Sequence, residues 1–515
     1  MPSLPKIRKR TLLLLSTLVL FLGVVAGVSL VQEQQELRER AQGNTYYVPG
    51  DFTTIQVAAN AVGPGDKVYV RNGIYNENVT IGNSGTEGSP ITFQNAQGEN
   101  PIINGSFSLD NKDYVHIIGF EITGTSSGKN GAIDLNNSNY NLIKDNNIHD
   151  TASRTGIYLK NSSYNIISRN SASYGGEGIE LNRGCTFNTI EYNHTFMNDK
   201  RGSSADGIVV YSTGTKLNII KYNIIHDNSD DGLDTWNGSY QLIVGNVSYH
   251  NGYNTDGSVG YDGNGFKLGG SEAGSFGGGN LVINNISYNN REIGFTTNNG
   301  PKANTLYNNV AYDNRDYGFY EPSGSGGSTF KNNIGYKNGR ADYRLASDTI
   351  AITNLSSTNP LFVNESGADF HLQSDSPAID NGSTLSIDDI PSVFLNNVPN
   401  FFRDEVLYHL PHDRDGRPRP QGAGYDIGAY EFTSGGQPTP PPGSPTPTPE
   451  PTSTPSPDPT AGDANGDGKV DGLDYVIWLN NYGQQTGNGA KDGDFNGDGK
   501  VDGVDYVIWL NNYQL

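Results

Sequence analysis

Apolar residues in the body of this chain fall in short runs, and two positions within the repeat keep a fixed register. The segments "TGIYL", "EGIEL", "DGIVV", "DGLDT", "NGFKL", "IGFTT" and "YGFYE" align on Gly156, Gly178, Gly207, Gly232, Gly265, Gly294 and Gly318. The residue after each glycine is Ile, Leu or Phe, so strand alternation turns it inward and the next residue outward. A second register places one asparagine in each repeat, at Asn146, Asn170, Asn193, Asn223, Asn246, Asn285, Asn309 and Asn333. Successive gaps are 24, 23, 30, 23, 39, 24 and 24 residues, a recurring unit with insertions in two turns. Short strands at this period, with no helical stretch between them, predict an all-β body: a right-handed parallel β-helix whose turns stack as a solenoid. The asparagines read as a ladder of stacked amides rather than a site. "TTIQVAANAVGPGDKVYV" predicts a short amphipathic helix and then the first strand, covering the open first rung. "DFHLQSDSPAID" and "GRPRPQGAGYDIGAYEF" predict a terminal region folded back on the solenoid.

The two ends follow other patterns. In residues 1–44, "KIRKR" precedes an apolar run from Thr11 to Val31, which predicts a signal peptide or N-terminal membrane anchor and a spacer. The protein is therefore expected to be secreted or anchored at the cell surface. Residues 45–433 hold the β-helix and its C-terminal extension, and 434–460 form a Pro/Thr/Ser-rich linker that cannot build a core. The tail, 461–515, is a duplication in which "DANGDGKVDGLDYVIWLNNY" returns 31 residues later as "DFNGDGKVDGVDYVIWLNNY".

Each copy opens with a twelve-residue loop that offers oxygen donors at positions 1, 3, 5, 9 and 12, a carbonyl at 7, and glycine at 6 for the turn. The predicted Ca²⁺ donors are Asp463, Asn465, Asp467, Lys469 through its carbonyl, Asp471 and Asp474 in the first loop. In the second they are Asp494, Asn496, Asp498, Lys500 through its carbonyl, Asp502 and Asp505. Aspartate at position 12 departs from ordinary EF-hands, which carry glutamate there. Trp478 and Trp509 read as core of this small module.

Composition narrows the function. Sixty-six glycines and only 17% charged residues suit a turn-rich β protein. A formal charge of −21 argues against nucleic acid, whose phosphates need a basic face. An acidic polymer would be repelled as well, unless a cation mediates. The single cysteine, Cys185, excludes an internal disulfide.

Against this thin charge, Asp230, Asp231 and Asp234 crowd into five positions. The glycine register stacks Asp206 under Asp231, each just before its glycine, about one strand spacing (~4.8 Å) apart. It also stacks Asp234 under Lys267, each two residues after its glycine. Two unit charges ~5 Å apart at an effective dielectric near 20 repel by roughly 3 kcal/mol, so such a group needs a cation. Hard oxygen donors in this number suit Ca²⁺ better than Mg²⁺ or Zn²⁺.

On these turns, "SSADGIVV", "NSDDGLDTWNGS" and "GYDGNGFKLGG" resemble the family 9 polysaccharide lyases of the pectate lyase type, a likeness spanning roughly residues 46–350. The resemblance implies a primary calcium held by Asp206, Asp230, Asp231 and Asp234, and Lys267 as the base. It further implies β-elimination on pectate or polygalacturonate. Trp236, Tyr261, Arg291 and Lys302 are weaker candidates for sugar contacts, each more often explained by packing or solvation. The tail resembles a type I dockerin and implies a cohesin partner. Its loop positions 10 and 11 hold Gly472, Leu473, Gly503 and Val504, where that family often carries Ser or Thr.

The same fold admits rivals. A polygalacturonase-type glycoside hydrolase would carry G-H-G and R-I-K strings and a mannuronan epimerase D-P-H-E; none occurs. A non-catalytic adhesin or glycan-binding solenoid with structural calcium would need the aspartates but not Lys267.

Overall fold

A computed structural model describes residues 43–124, 128–200, 203–270, 276–433 and a discontinuous set between 462 and 509. The N-terminal apolar segment and the Pro-rich linker lie outside the described residues. No helix among the described residues is long and apolar enough to cross a membrane. The chain divides into two compact units, Met1–Pro445 and Thr446–Leu515.

The first unit is the predicted parallel β-helix. Its strands form sheets of 13, 12 and 11 members, and strands neighbouring in each sheet are a whole turn apart in sequence. One representative turn runs Ile219–Lys221, Ile224–His226 and Leu233–Asp234, a strand for each sheet in that order. The inward residues predicted from the glycine register, Ile157, Ile179, Ile208, Leu233, Phe266, Phe295 and Phe319, are all buried in one continuous core. Phe266, Phe295, Phe319 and Tyr343 stack ring on ring there, with centroids 4.7, 5.0 and 4.9 Å apart, as the rung spacing dictates.

The asparagine ladder is present. Each Nδ2 donates to the Oδ1 of the next rung, as from Asn193 to Asn223 at 3.0 Å and from Asn223 to Asn246 at 2.9 Å. The structure adds two further ladders at other corners. One runs through Asn141, Asn165, Asn188, Asn218 and Gln241, the other through Asn198, Asn228, Asn251, Asn290 and Asn314.

The N-terminal helix spans Ile55–Ala61 and is capped by Thr54, whose hydroxyl accepts from the Val57 amide. It does not precede the first strand, as the sequence suggested: Thr45–Val48 comes earlier and pairs with Lys67–Val70. The C-terminal region folds back as expected, and includes an unforeseen helix, Asn400–His409. Phe394, Phe402 and Val406 cover outward apolar residues of the 13-stranded sheet, such as Leu242 and Leu281. Phe362, Phe370 and Ile427 cover those of the 12-stranded sheet, such as Ile286 and Val310. The outward positions of the 11-stranded sheet are instead largely polar or charged, and they carry the site.

Candidate active site

Register alone assembles the site. In the 11-stranded sheet Val209 pairs with Asp234 and Asp234 with Lys267, which sets the carboxylate and the amine on one outward row. One corner earlier, the residues before the glycines also stack: the Gly207 amide donates to the Asp231 carbonyl and the Gly232 amide to the Asn264 carbonyl. The predicted group thus converges: Asp206, Asp230, Asp231, Asp234 and Lys267 are all buried. Asp206, Asp231 and Asp234 each bring a carboxylate oxygen within 4.8 Å of the others, and Asp230, Asp231 and Asp262 do the same.

Hydrogen bonds hold these carboxylates in place. The Asp231 amide donates to Asp206 Oδ1 at 2.9 Å, and Asn264 donates to Asp231 Oδ1 from its amide at 2.7 Å and from Nδ2 at 2.8 Å. The Asp262 amide donates to Asp230 Oδ1 at 2.9 Å. Lys267 Nζ sits among the acids, 2.9 Å from Asp231, 3.2 Å from Asp262 and 3.3 Å from Asp234. Asp234 Oδ1 is buried with no hydrogen-bond partner among the described residues.

The electrostatics follow from crowding. Burial, reinforced by Asp231, pushes the Asp230 carboxyl up to about 9. Burial also raises Asp234 to about 7, against the pull of Lys267. Asp206 is raised by burial and then by Asp230 and Glu177. Burial works to lower the Lys267 pKa, but Asp231, Asp234 and Asp206 raise it by more, so the amine is held as an ammonium. Stacked, desolvated carboxylates and an orphaned buried oxygen are a donor set suited to a hard divalent cation, and Ca²⁺ fits it.

Some participants escaped the sequence reading. Glu177 accepts from the Asp206 amide, and burial with Glu180 nearby pushes it up to about 8. Glu177 precedes Gly178 as Asp206 precedes Gly207, and Glu180 occupies the outward row, so extending the same register finds both. Asp262 lies in the insertion between rungs, where no register applies. Glu177 and Glu180 line a cleft of about 450 Å³ together with Asp206, Asp230, Asp234, Lys267, Lys200, Tyr211 and Trp236.

The weaker candidates separate. Trp236 lines the cleft, with Lys267 Nζ 5.6 Å from its ring centroid. Tyr261, next to Asp262 in sequence, is exposed and lies outside the cleft lining. Arg291 donates to the carbonyls of Tyr261 and Asp262 at 2.6 and 3.0 Å, so it braces the loop that carries Asp262. Lys302 lies outside the cleft lining, bonded to Ser239 Oγ at 3.0 Å over the Tyr240 ring.

Comparison with known proteins agrees with this architecture. Residues 48–359 match the family described as the Pel9A-like, right handed beta helix region. The chain belongs to this family. A pectate lyase L of Dickeya chrysanthemi is 29% identical over 272 residues, covering 50% of this chain and 59% of that protein. A pectate lyase PEL9 of Emericella nidulans is 28% identical over 286 residues, covering 49% and 66%. The chain thus spans less than two thirds of the length of these relatives. The crystal structure of pectate lyase Pel9A shares the fold, with a TM-score of 0.53 at 21% identity over 76% of this chain and 97% of that one.

Residues 461–513 match the dockerin type I domain. In the second unit the two loops are built alike. Asp474 Oδ1 accepts from the Ala464 and Asn465 amides at 2.9 and 3.0 Å, and Asp505 Oδ1 from those of Phe495 and Asn496 at 2.7 and 3.0 Å. Position 12 therefore clamps positions 2 and 3 of its own loop in both copies. Asp463, Asp474, Asp494 and Asp505 are buried, as are Val470, Val501, Trp478 and Trp509, which places both tryptophans in the core. Asp467, Asp471, Asp498 and Asp502 lie outside the described residues.

Proposed function

We propose that the Pel9A-like unit is a calcium-dependent polysaccharide lyase acting on pectate or polygalacturonate. The observation that carries this reading is Lys267 Nζ facing Asp231 and Asp234 at 2.9 and 3.3 Å in an open cleft. Asp206, Asp230, Asp231 and Asp234 would hold the ion. Bound calcium would withdraw charge from the substrate carboxylate and so ease loss of the neighbouring proton. Lys267 takes the C5 proton, the electron pair left on C5 forms the C4–C5 double bond, and the C4 oxygen leaves with the departing chain and takes a proton from water. Burial favours a neutral Lys267 once its carboxylates are engaged elsewhere, which is the form a base requires. The names of the relatives and the cleft's acidity support the same substrate class, since a cation can bridge two anionic partners.

The dockerin unit would attach the enzyme to a cohesin on an extracellular scaffold, with calcium in both loops. The decisive experiment follows ultraviolet absorbance during incubation with polygalacturonate and calcium. A new unsaturated product that disappears with chelator and in Lys267→Ala is expected; hydrolysis or binding alone yields none.

A further inference from the structure

The outward row through the site continues along the 11-stranded sheet well beyond Lys267. Lys267 pairs with Thr296, Thr296 with Tyr320, and Tyr320 with Arg344, all in direct register. Three rungs separate Lys267 from Arg344, about 14 Å at the strand spacing. In the other direction the row passes Asp234 and Val209 to Glu180, Tyr158 and Asp134. The row is thus acidic on the N-terminal side of Lys267 and ends in a cation on the C-terminal side.

Arg344 is exposed, and among the described residues it makes no ion pair. Its Nη1 donates to the Tyr317 hydroxyl at 2.6 Å, and its guanidinium lies 5.4 and 5.7 Å from the Tyr317 and Tyr320 ring centroids. Those two rings stack on each other at 5.3 Å. On the adjoining turns Glu292 pairs with Arg291, Asp316 with Arg340, and Glu321 accepts from Ser328 and Thr349. An exposed guanidinium fixed over aromatic rings, in a chain of net charge −21, is placed for an outside carboxylate.

We infer that Arg344, with Tyr317 and Tyr320, forms a distal subsite that binds a uronate carboxylate of the same polysaccharide strand whose reacting unit lies at Lys267. Tyr320 offers a ring face to a sugar, and Arg344 offers a fork to its carboxylate. The strand would then run from Lys267 toward the C-terminal rungs, away from Asp134 and Glu180, whose charges repel it. This inference rests on the lyase reading for the identity of the polymer.

The test compares the full chain with Arg344→Ala, Arg344→Lys and Tyr320→Ala on polygalacturonate and on oligogalacturonates of defined length. Arg344→Ala is expected to raise KM for the polymer about tenfold, more than it lowers kcat, with Arg344→Lys partly restoring it. The ratio of wild-type to variant kcat/KM should shrink toward one as the substrate becomes too short to span three rungs. Affinity for a long oligogalacturonate is measured separately in a Lys267→Ala background with and without Arg344→Ala. Unsaturated product with KM and affinity indifferent to Arg344 overturns the subsite alone. Arg344-dependent binding without any unsaturated product overturns the lyase reading and leaves the subsite standing, and no binding at all overturns both.

Discussion

Lys267 in this structure is an ammonium wedged among the carboxylates it is meant to work beside. It partly neutralises them, and in the proposed reaction a bound divalent cation would take over that task and free the amine to act as the base. Removing it is expected to lower the initial rate on polygalacturonate by about 10²- to 10⁴-fold while circular dichroism stays that of a β-solenoid. Asn264 donates to Asp231 from its backbone amide and from its side chain and does not line the cleft, so it is a positioning residue. Asn264→Ala should weaken calcium binding by about 10- to 100-fold, read by calorimetry, with the melting point of the chelated protein little changed.

The raised carboxyls set a pH dependence. In the metal-free protein Asp234 sits near 7 and Asp230 near 9, above their unfolded values near 4. The native state therefore binds more protons than the unfolded state between those limits, and the stability these groups contribute falls as pH rises. Calcium bound as proposed would displace the same protons, so its affinity should climb from pH 6 to pH 9. Calorimetry in buffers of different ionisation enthalpy would detect the protons released; a flat affinity profile would contradict the arrangement.

At the scale of a rung, the glycine register turns out to be a matter of space rather than of turn geometry. A Cβ on Gly232 would lie 2.0 Å from Ser248 Oγ and 2.7 Å from the Gly265 carbonyl, and one on Gly207 2.3 Å from Ile225 Cγ2. Alanine at Gly232 must push the rung outward just where Asp231 and Asp234 are carried. We expect a cost of about 1–3 kcal/mol in denaturant unfolding together with weaker calcium binding. The asparagine ladders work differently, since each amide joins the corner of its own turn to the next. Asn223 donates to Ile190 and Asn246 and accepts from the amide and Nδ2 of Asn193. Asn223→Leu removes all of these in a dry corner, and the unpaired neighbours should cost about 1–3 kcal/mol each. The sequence alignment caught one ladder of three because the other two include a glutamine, and serine and aspartate ends, which break a search for one residue type.

Within the first unit, the three sheets differ in what lies on their outer faces. The C-terminal region buries apolar outward residues of the 13- and 12-stranded sheets, whereas the largely polar 11-stranded face carries the acidic cleft. In the second unit each of the two loops carries the same kind of clamp, Asp474 in one and Asp505 in the other. We expect the full chain to be retained by an immobilised cohesin in calcium and released by chelator, and an Asp474→Ala, Asp505→Ala double variant not to be retained, while both keep equal lyase rates.

Periodicity alone determined the β-helix, the inward core, the stacking of Asp206 with Asp231 and Asp234 with Lys267, and the duplication of the tail. A strict repeat converts sequence spacing directly into distance, and backbone pairing enforces that conversion rung by rung. Only the tertiary structure decided what lies off the repeat. Asp262 reaches Lys267 from an insertion, Arg291 braces that insertion, and the Asn400–His409 helix covers one sheet face. None of these has a register to read, because their positions depend on packing between segments far apart in the chain.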